Sequence, residues 1–196
     1  MNELRPEDGG GAEGGGAAAE HRLLRQVAAG DIRALSRLME LYWRPLHAYV
    51  ARTFGRGSDE AEDVVQETFI RAWELEEWDP GKGTVRAFLY RVARNLVLEA
   101  VRREEVRSRL DPRVADGLPH PATPEDRLGE RELERALLRA LATLPLRRRE
   151  ALVLVRFQGL SLQEAASLMG LGKQTVANHV TMALGDLREH MGDALG

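Results

Sequence analysis

Between Ser161 and Leu184 the chain reads SLQEAASLMGLGKQTVANHVTMAL, and few folds accept that order of residues. Ser161 and Glu164 have capping-box spacing, in which hydroxyl and carboxylate each satisfy one exposed N–H at a helix start. Ala165, Ala166, Met169 and Leu171 follow where one helix packs on a second, and Ala166 is small enough to allow close approach. Gly170 falls where the connecting turn needs a permissive residue. Val176, Val180 and Leu184 then recur at helical spacing. The pattern predicts a helix-turn-helix. Its second helix would turn Lys173, Gln174, Thr175, Ala177, Asn178, His179 and Thr181 outward, a set with short polar groups suited to base edges and phosphates. An ordinary helical hairpin with a polar face is the competing reading. Capping box, small residue, glycine and spacing together favour a DNA reader.

Such a reader is short of charge. Residues 161–184 hold one base, Lys173, and one acid, Glu164, whereas DNA readers usually grip phosphates with several cations. Arg147, Arg148 and Arg149 stand just upstream, with Arg156 further on, where they can meet flanking phosphates or simply form a solvated basic turn. Leu152, Leu154, Val155 and Phe157 beside them are too apolar all to face water.

The N-terminal half segregates its charge. Across 58–77, Asp59, Glu60, Glu62, Asp63, Glu67, Glu74, Glu76 and Glu77 face a single base, Arg71. Across 86–109, Arg86, Arg91, Arg94, Arg102, Arg103, Arg107 and Arg109 outnumber Glu99, Glu104 and Glu105. An acidic helix repels DNA and suits a basic protein partner; a basic helix suits phosphate. Within the second helix Arg91, Asn95 and Arg102 share the face opposite the apolar stripe Val85, Phe88, Leu89, Val92, Leu96 and Ala100, with Arg94 beside them. Tyr90 and Trp78 lie nearby, and aromatics interleaved with arginine can hold unstacked bases. The bland alternative is that the two charged helices only complement each other.

Further helices are expected from Glu20 to Gly30 and from an Asp31 cap onward, with Ile32, Leu35, Leu38, Met39 and Tyr42 inward and Pro45 kinking or breaking the run. Val65, Phe69 and Trp73 mark the apolar face of the acidic helix, and Asp59 and Glu62 have capping-box spacing at its start. Thr84 caps the basic helix. The stretch DPRVADGLPHPATPED, rich in proline and without periodicity, reads as a flexible linker, after which Thr123 and Pro124 restart helix. The expected architecture is all-α, in two small helical domains. A Gly-rich disordered tail (1–19) precedes the first domain (20–108); a linker (109–129) leads to the second (130–196).

Composition narrows the function. A net charge of −3 excludes a polybasic nucleic-acid coat, and the absence of cysteine excludes disulfides and cysteine-based zinc sites. Neither a membrane-spanning run nor a secretory leader is present, so a cytoplasmic protein without membrane insertion is expected. The histidines show no HExxH-type spacing, and neither GGGAEGGG nor GKGT has the Lys-Ser/Thr end of a phosphate loop. No enzyme, cofactor or metal is expected.

The segments AEDVVQETFIRAW, FLYRVARNLVLEAVRR and LATLPLRRREALVLVRFQGLSLQEAASLMGLGKQTVANHV resemble bacterial RNA polymerase sigma factors of the sigma-70 family. The two-domain size resembles that of the extracytoplasmic-function (ECF) group. The resemblance covers about residues 20–108 and 130–190; the first segment is specific, the helix-turn-helix alone is not. It implies core RNA polymerase as partner, through the β′ clamp and the β flap, together with promoter DNA and an anti-sigma factor. By resemblance Asp63, Gln66, Glu67, Ile70 and Arg71 would dock on the clamp. Arg86, Arg91, Arg94, Asn95 and Arg102 would touch the −10 element, and Arg148, Lys173, Gln174, Thr175, Asn178 and His179 the −35 element. A weakly charged reader then suffices, because polymerase holds both DNA-binding halves on one scaffold. Phe88 stands where the family often has Trp and Glu99 where it often has Asp, and the several Arg or Lys that commonly follow the Thr-Val of the recognition helix are absent here between Val176 and Arg188. A stand-alone regulator with a LuxR-like reader is the alternative function.

Overall fold

The computed structural model describes residues 11–55, 58–110 and 128–195, with side chains over 16–55, 59–81, 83–103 and 136–189. Among these, every regular element is helical. The order is α1 (Gly11–Ala28), α2 (Ile32–Phe54), α3 (Ser58–Trp73), a 3-10 turn (Pro80–Lys82) and α4 (Val85–Leu110). The C-terminal half holds α5 (Leu128–Thr143), α6 (Leu146–Leu152), a π turn (Val153–Phe157), α7 (Leu162–Met169) and α8 (Lys173–Leu195).

Helix α1 begins at Gly11, inside the stretch expected to be a tail; the first ten residues lie outside the described ones. The alanine run 17–19 favours helix and continues the turn that buries Leu24 and Val27 against the core. Of the linker expected at 109–129, residues 111–127 with the Thr123–Pro124 restart lie outside the described residues, while 109–110 belong to α4 and 128–129 to α5.

Local chemistry sets the other ends. Asp31 accepts from the N–H groups of Arg33 (2.8 Å) and Ala34 (3.2 Å) at the start of α2. Thr84 Oγ1 accepts from Ala87 N at 3.1 Å and starts α4 as expected. Helix α2 runs through Pro45 without a break and ends at Gly55, whose φ of 64° is left-handed. Its inward face is Ala34, Leu38, Tyr42, Leu46, Tyr49 and Val50, with Leu35 and Met39 half-buried. Ile32, expected inside, is 69 % exposed, while Ala34 of the same turn is buried in its place.

On α4 the fully buried row is Val85, Leu89, Ala93 and Val97, flanked by Tyr90; the expected Phe88, Val92, Leu96 and Ala100 are half-buried beside it. On α3, Val65 and Phe69 are buried as expected, and Phe69 stacks on Trp43 with centroids 6.0 Å apart. Trp73 of the same row stays 37 % exposed.

In the C-terminal half the helix-turn-helix has the expected form. Ser161 Oγ accepts from Glu164 N, and Glu164 accepts from Ser161 N at 2.8 Å, completing the capping box. Ala165, Ala166, Met169, Val176 and Val180 are buried between α7 and α8. Gly170 has φ of 66°, and nothing would touch an added Cβ. Gly170→Ala is therefore a test of backbone strain alone: we expect a loss of about 1 kcal/mol in urea unfolding.

The two halves pack on one another. Helix α2 touches α5, α6 and the π turn, and α4 touches α7. In the π turn Gln158 N donates to Val153 O at 2.9 Å, five residues back. That wider turn brings Phe157 and Gln158 toward the N-terminal half, where the Arg52 guanidinium lies 5.3 Å from the Phe157 ring centroid.

Candidate nucleic-acid and polymerase interfaces

Three exposed surfaces collect most of the residues singled out by sequence. The first is on α3. Asp63, Gln66, Ile70 and Arg71 are exposed and Glu67 is half-buried, and their spacing places them along one side of the helix. Glu67 pairs with Arg71 one turn on, at 2.8 Å. The surface is thus acidic with an apolar element, Ile70, which is 42 % exposed. It lies away from the row that packs Val65 and Phe69 inward.

The second surface is on α4, and the structure divides its candidates. Arg91, Asn95 and Arg102 are exposed. Arg86 and Arg94 are turned to the C-terminal half instead. The Arg94 guanidinium donates to both carboxylate oxygens of Glu150, at 2.6 and 3.4 Å. Glu150 is 3 % exposed and Arg94 16 %, so this is a buried ion pair. The Tyr49 hydroxyl also donates to Glu150, at 3.1 Å; burial first, and then the adjacent carboxylate, push the Tyr49 pKa well up and keep that proton in place. Arg86 donates to both oxygens of Glu164, at 3.3 and 3.4 Å. Partial burial raises the Glu164 pKa, but hydrogen bonds from Ser161 and the charge of Arg86 outweigh it and bring the net value below the usual glutamate range.

Tyr90 and Trp78 are not stacking platforms. Tyr90 is 1 % exposed, and its hydroxyl donates to Gln158 Oε1 at 2.7 Å. Trp78 is buried, its indole N–H donates to His21 Nδ1 at 2.9 Å, and Phe88 tilts against it with centroids 5.3 Å apart. Both rings fasten the fold: Trp78 pins the loop before α4 onto α1. His21, unremarkable in sequence, is the acceptor that makes this possible.

The third surface is the outer side of α8. Lys173, Gln174, Thr175 and Asn178 are exposed, and Gln174 Nε2 donates to Asn178 Oδ1 at 3.1 Å across one turn. His179 is half-buried, with Nδ1 packed away from solvent and without a partner among the described residues. Of the upstream arginines, Arg147 and Arg156 are exposed. Arg148 joins α6 to α8 through Asp186 at 2.8 Å. Arg149 turns inward and donates to Thr53 O, Ala142 O and Leu144 O at 3.2, 3.0 and 3.0 Å; burial pushes its pKa down. The upstream run is therefore mostly structural, which leaves the reader as weakly charged as its sequence suggests.

Sequence reasoning missed Glu150, Gln158 and Glu164 as partners of the α4 face. One signal was present: Glu150 directly follows three arginines and opens an apolar run, so its helix position faces inward.

Comparison with known proteins gives these surfaces a context. Residues 38–107 match the family model of sigma-70 region 2, and residues 134–187 match that of sigma-70 region 4. The RNA polymerase sigma factor NccH of Alcaligenes xylosoxydans xylosoxydans is 32 % identical over 175 residues, covering 85 % of this chain and 91 % of that protein. Among solved structures, CnrH in complex with the cytosolic domain of CnrY superposes with a TM-score of 0.67 at 28 % identity, over 89 % of this chain and 98 % of CnrH. RpoE of Bartonella quintana, in complex with the anti-sigma factor NepR, gives 0.67 at 26 % identity, over 82 % and 98 %.

Proposed function

Because the chain belongs to the sigma-70 family of RNA polymerase sigma factors, we propose that its three surfaces divide the work of promoter recognition: α3 docks on core polymerase, α4 meets the opened −10 strand, and α8 reads the −35 duplex. The observation that carries this reading is the side-by-side display, within the stretch that matches region 2, of an acidic exposed side on α3 and exposed Arg91, Asn95 and Arg102 on α4. The acidic side repels DNA and suits a basic coiled coil such as the β′ clamp; the basic side suits phosphate. Region 4 would in turn rest on the β flap. The chain itself performs no chemistry in this scheme. It lends sequence selectivity to an enzyme that supplies most of the grip, so a recognition helix with Lys173 as its one cation before Arg188 is adequate.

An anti-sigma factor is a further partner that this reading expects, since CnrH and RpoE were each solved with a protein partner. The family match to region 2 over 38–107 leaves no separate sensor domain of the kind a LuxR-like regulator would carry there, and that alternative is not supported.

The test is reconstitution. Purified chain mixed with core polymerase should co-elute in gel filtration and should direct run-off transcription from the sequence upstream of its own gene. A chain that elutes apart from competent core sinks the proposal.

A further inference from the structure

Local bonds fix the shape of the loop that leads into α4. Asp79 accepts from Gly81 N at 2.8 Å, Gly83 N donates to Pro80 O at 3.3 Å, and Gly83 has a φ of 119°, which a side chain would strain. An added Cβ on Gly81 would stand 3.1 Å from Asp79 Oδ1. The loop is thus a small rigid body, with Asp79, Pro80, Gly81 and Gly83 exposed. None of these bonds sets where that body stands; its two ends do. At one end Thr84 joins it to α4 through Ala87 N. At the other, Trp78 lies against Phe88 of α4 and donates its indole N–H to His21 Nδ1 of α1.

His21 is a fixed point. Leu24 and Val27 of α1 are completely buried, and the buried Tyr42 of α2 hydrogen-bonds Glu20 beside it. Accepting at Nδ1 places the imidazole proton on Nε2. A buried indole N–H without an acceptor is costly, so Trp78 is held where His21 offers that lone pair. The anchor is supplied from upstream of residues 38–107, the stretch that matches sigma-70 region 2. The loop it holds stands near the exposed side chains of α4: by the helical rise, Arg91 lies about 9 Å along the axis from Val85, a short span for an extended strand.

We infer that His21 is a positioning residue for strand recognition: by holding Trp78 on α1 it sets where the Asp79–Gly83 loop stands, so that bases of the opened −10 strand meet a loop of fixed place as well as the side chains of α4. This rests on the reading that Arg91 and Asn95 meet that strand. His21 acts through Trp78 and makes no contact with DNA itself. Loss of the anchor displaces the loop and changes which bases are accepted, while the charges of α3 and α4 stay as they are.

His21→Ala removes the acceptor. His21→Asn returns one, because asparagine Oδ1 and histidine Nδ1 stand the same number of bonds from the backbone. Alanine favours helix and leaves Leu24 and Val27 in place, so α1 keeps its fold in both variants. With competent core polymerase and the template upstream of the chain's own gene, the alanine variant should open the promoter about fivefold more slowly, the factor carried by one hydrogen bond of ordinary net strength. Asparagine should bring the rate back to within about twofold of the parent. Co-elution with core and the slope of log affinity against log salt should not change, since no phosphate contact is lost. The bond itself is read from the indole N–H resonances of the three tryptophans: one should exchange slowly with water in the parent and the asparagine variant, and quickly in the alanine variant.

Selectivity is the readout that a loss of stability would not move. A chain that is merely less folded slows on every template alike, so the ratio of opening rates on the parent template and on templates with single-base changes in the −10 region stays constant. A displaced loop shifts that ratio at the bases beside it, by about threefold or more in the alanine variant and not in the asparagine variant. An alanine variant that opens the promoter like the parent overturns the proposal. So do ratios unchanged at every position, and so does an asparagine variant as slow as the alanine one. Arg91→Ala, run in parallel, separates the outcomes: normal opening there removes the strand reading of α4, whereas slow opening there with normal opening in His21→Ala removes only the positioning role.

Discussion

Reversing Asp63 and Glu67 to lysine is expected to weaken binding to core polymerase about a hundredfold while leaving the fold intact. Both side chains lie on the outer side of α3, away from the Val65–Phe69 row that holds the helix to the core. Among the described residues Glu67 pairs with Arg71, in an exposed pair one turn apart. Exposed pairs are screened by solvent, so the melting temperature of the double variant should stay within a few degrees of the parent. Binding is another matter, because the substitution puts two cations where a basic partner surface would meet two anions, and like-charge contact is far more costly than a lost attraction. Ile70 supplies the comparison. Ile70→Ala removes apolar contact without altering charge, so it should lower affinity less and leave the salt dependence unchanged, whereas the charge reversal should make residual binding stronger as salt rises. Titration of fluorescent core at two ionic strengths reads both effects. Unaltered affinity of the charge-reversed chain would move the docking surface off α3.

The helix-turn-helix was legible because its signals are local. Ser161, Glu164, Ala166 and Gly170 lie within a span of ten residues, and each satisfies or relaxes the backbone next to it. The division of α4 was not legible, for an equally physical reason. Arg86 and Arg94 meet acids 78 and 56 residues away. Helical periodicity tells which residues share a side, yet it is the same whether that side faces water or a second domain. Tyr90 illustrates the point: beside arginines it reads as a platform for a base, and only the packing of the π turn shows that its ring is enclosed and its hydroxyl spent on Gln158. The arginine run at 147–149 misleads in the same way. One member is exposed, one crosses to Asp186, and one caps the carbonyls at the ends of α2 and α5, where helix dipoles favour a cation. The extent of α1 was missed because the glycines around Glu13 argue for disorder, while the alanines that follow carry the helix outward from buried Leu24.

Arg91→Ala and Asn95→Ala are expected to slow promoter opening at least tenfold each, with core binding held within about twofold. A single contact to an unstacked base or its phosphate is worth roughly 1–3 kcal/mol, and both residues project from α4 on the side not engaged by the C-terminal half. Permanganate reactivity of thymines in the opened region reports the step directly and should fall in both variants. The two substitutions differ in how salt enters. Arginine neutralises a phosphate and releases a counterion, so Arg91→Ala should reduce the slope of log affinity against log salt by about 0.7 for a single strand. Asparagine carries no charge, so Asn95→Ala should lower affinity at every salt concentration and leave the slope as it was. Arg94→Ala, by contrast, removes a cation that is already paired with Glu150, and it leaves that carboxylate buried with the Tyr49 hydroxyl as its remaining hydrogen-bond partner among the described residues. Its effect on opening should therefore be entangled with a loss of stability that Arg91→Ala does not show, because an unpaired buried charge is costly and an exposed alanine is not. Thymine reactivity and salt slopes identical to the parent in Arg91→Ala would place the strand-binding surface elsewhere than on this side of α4.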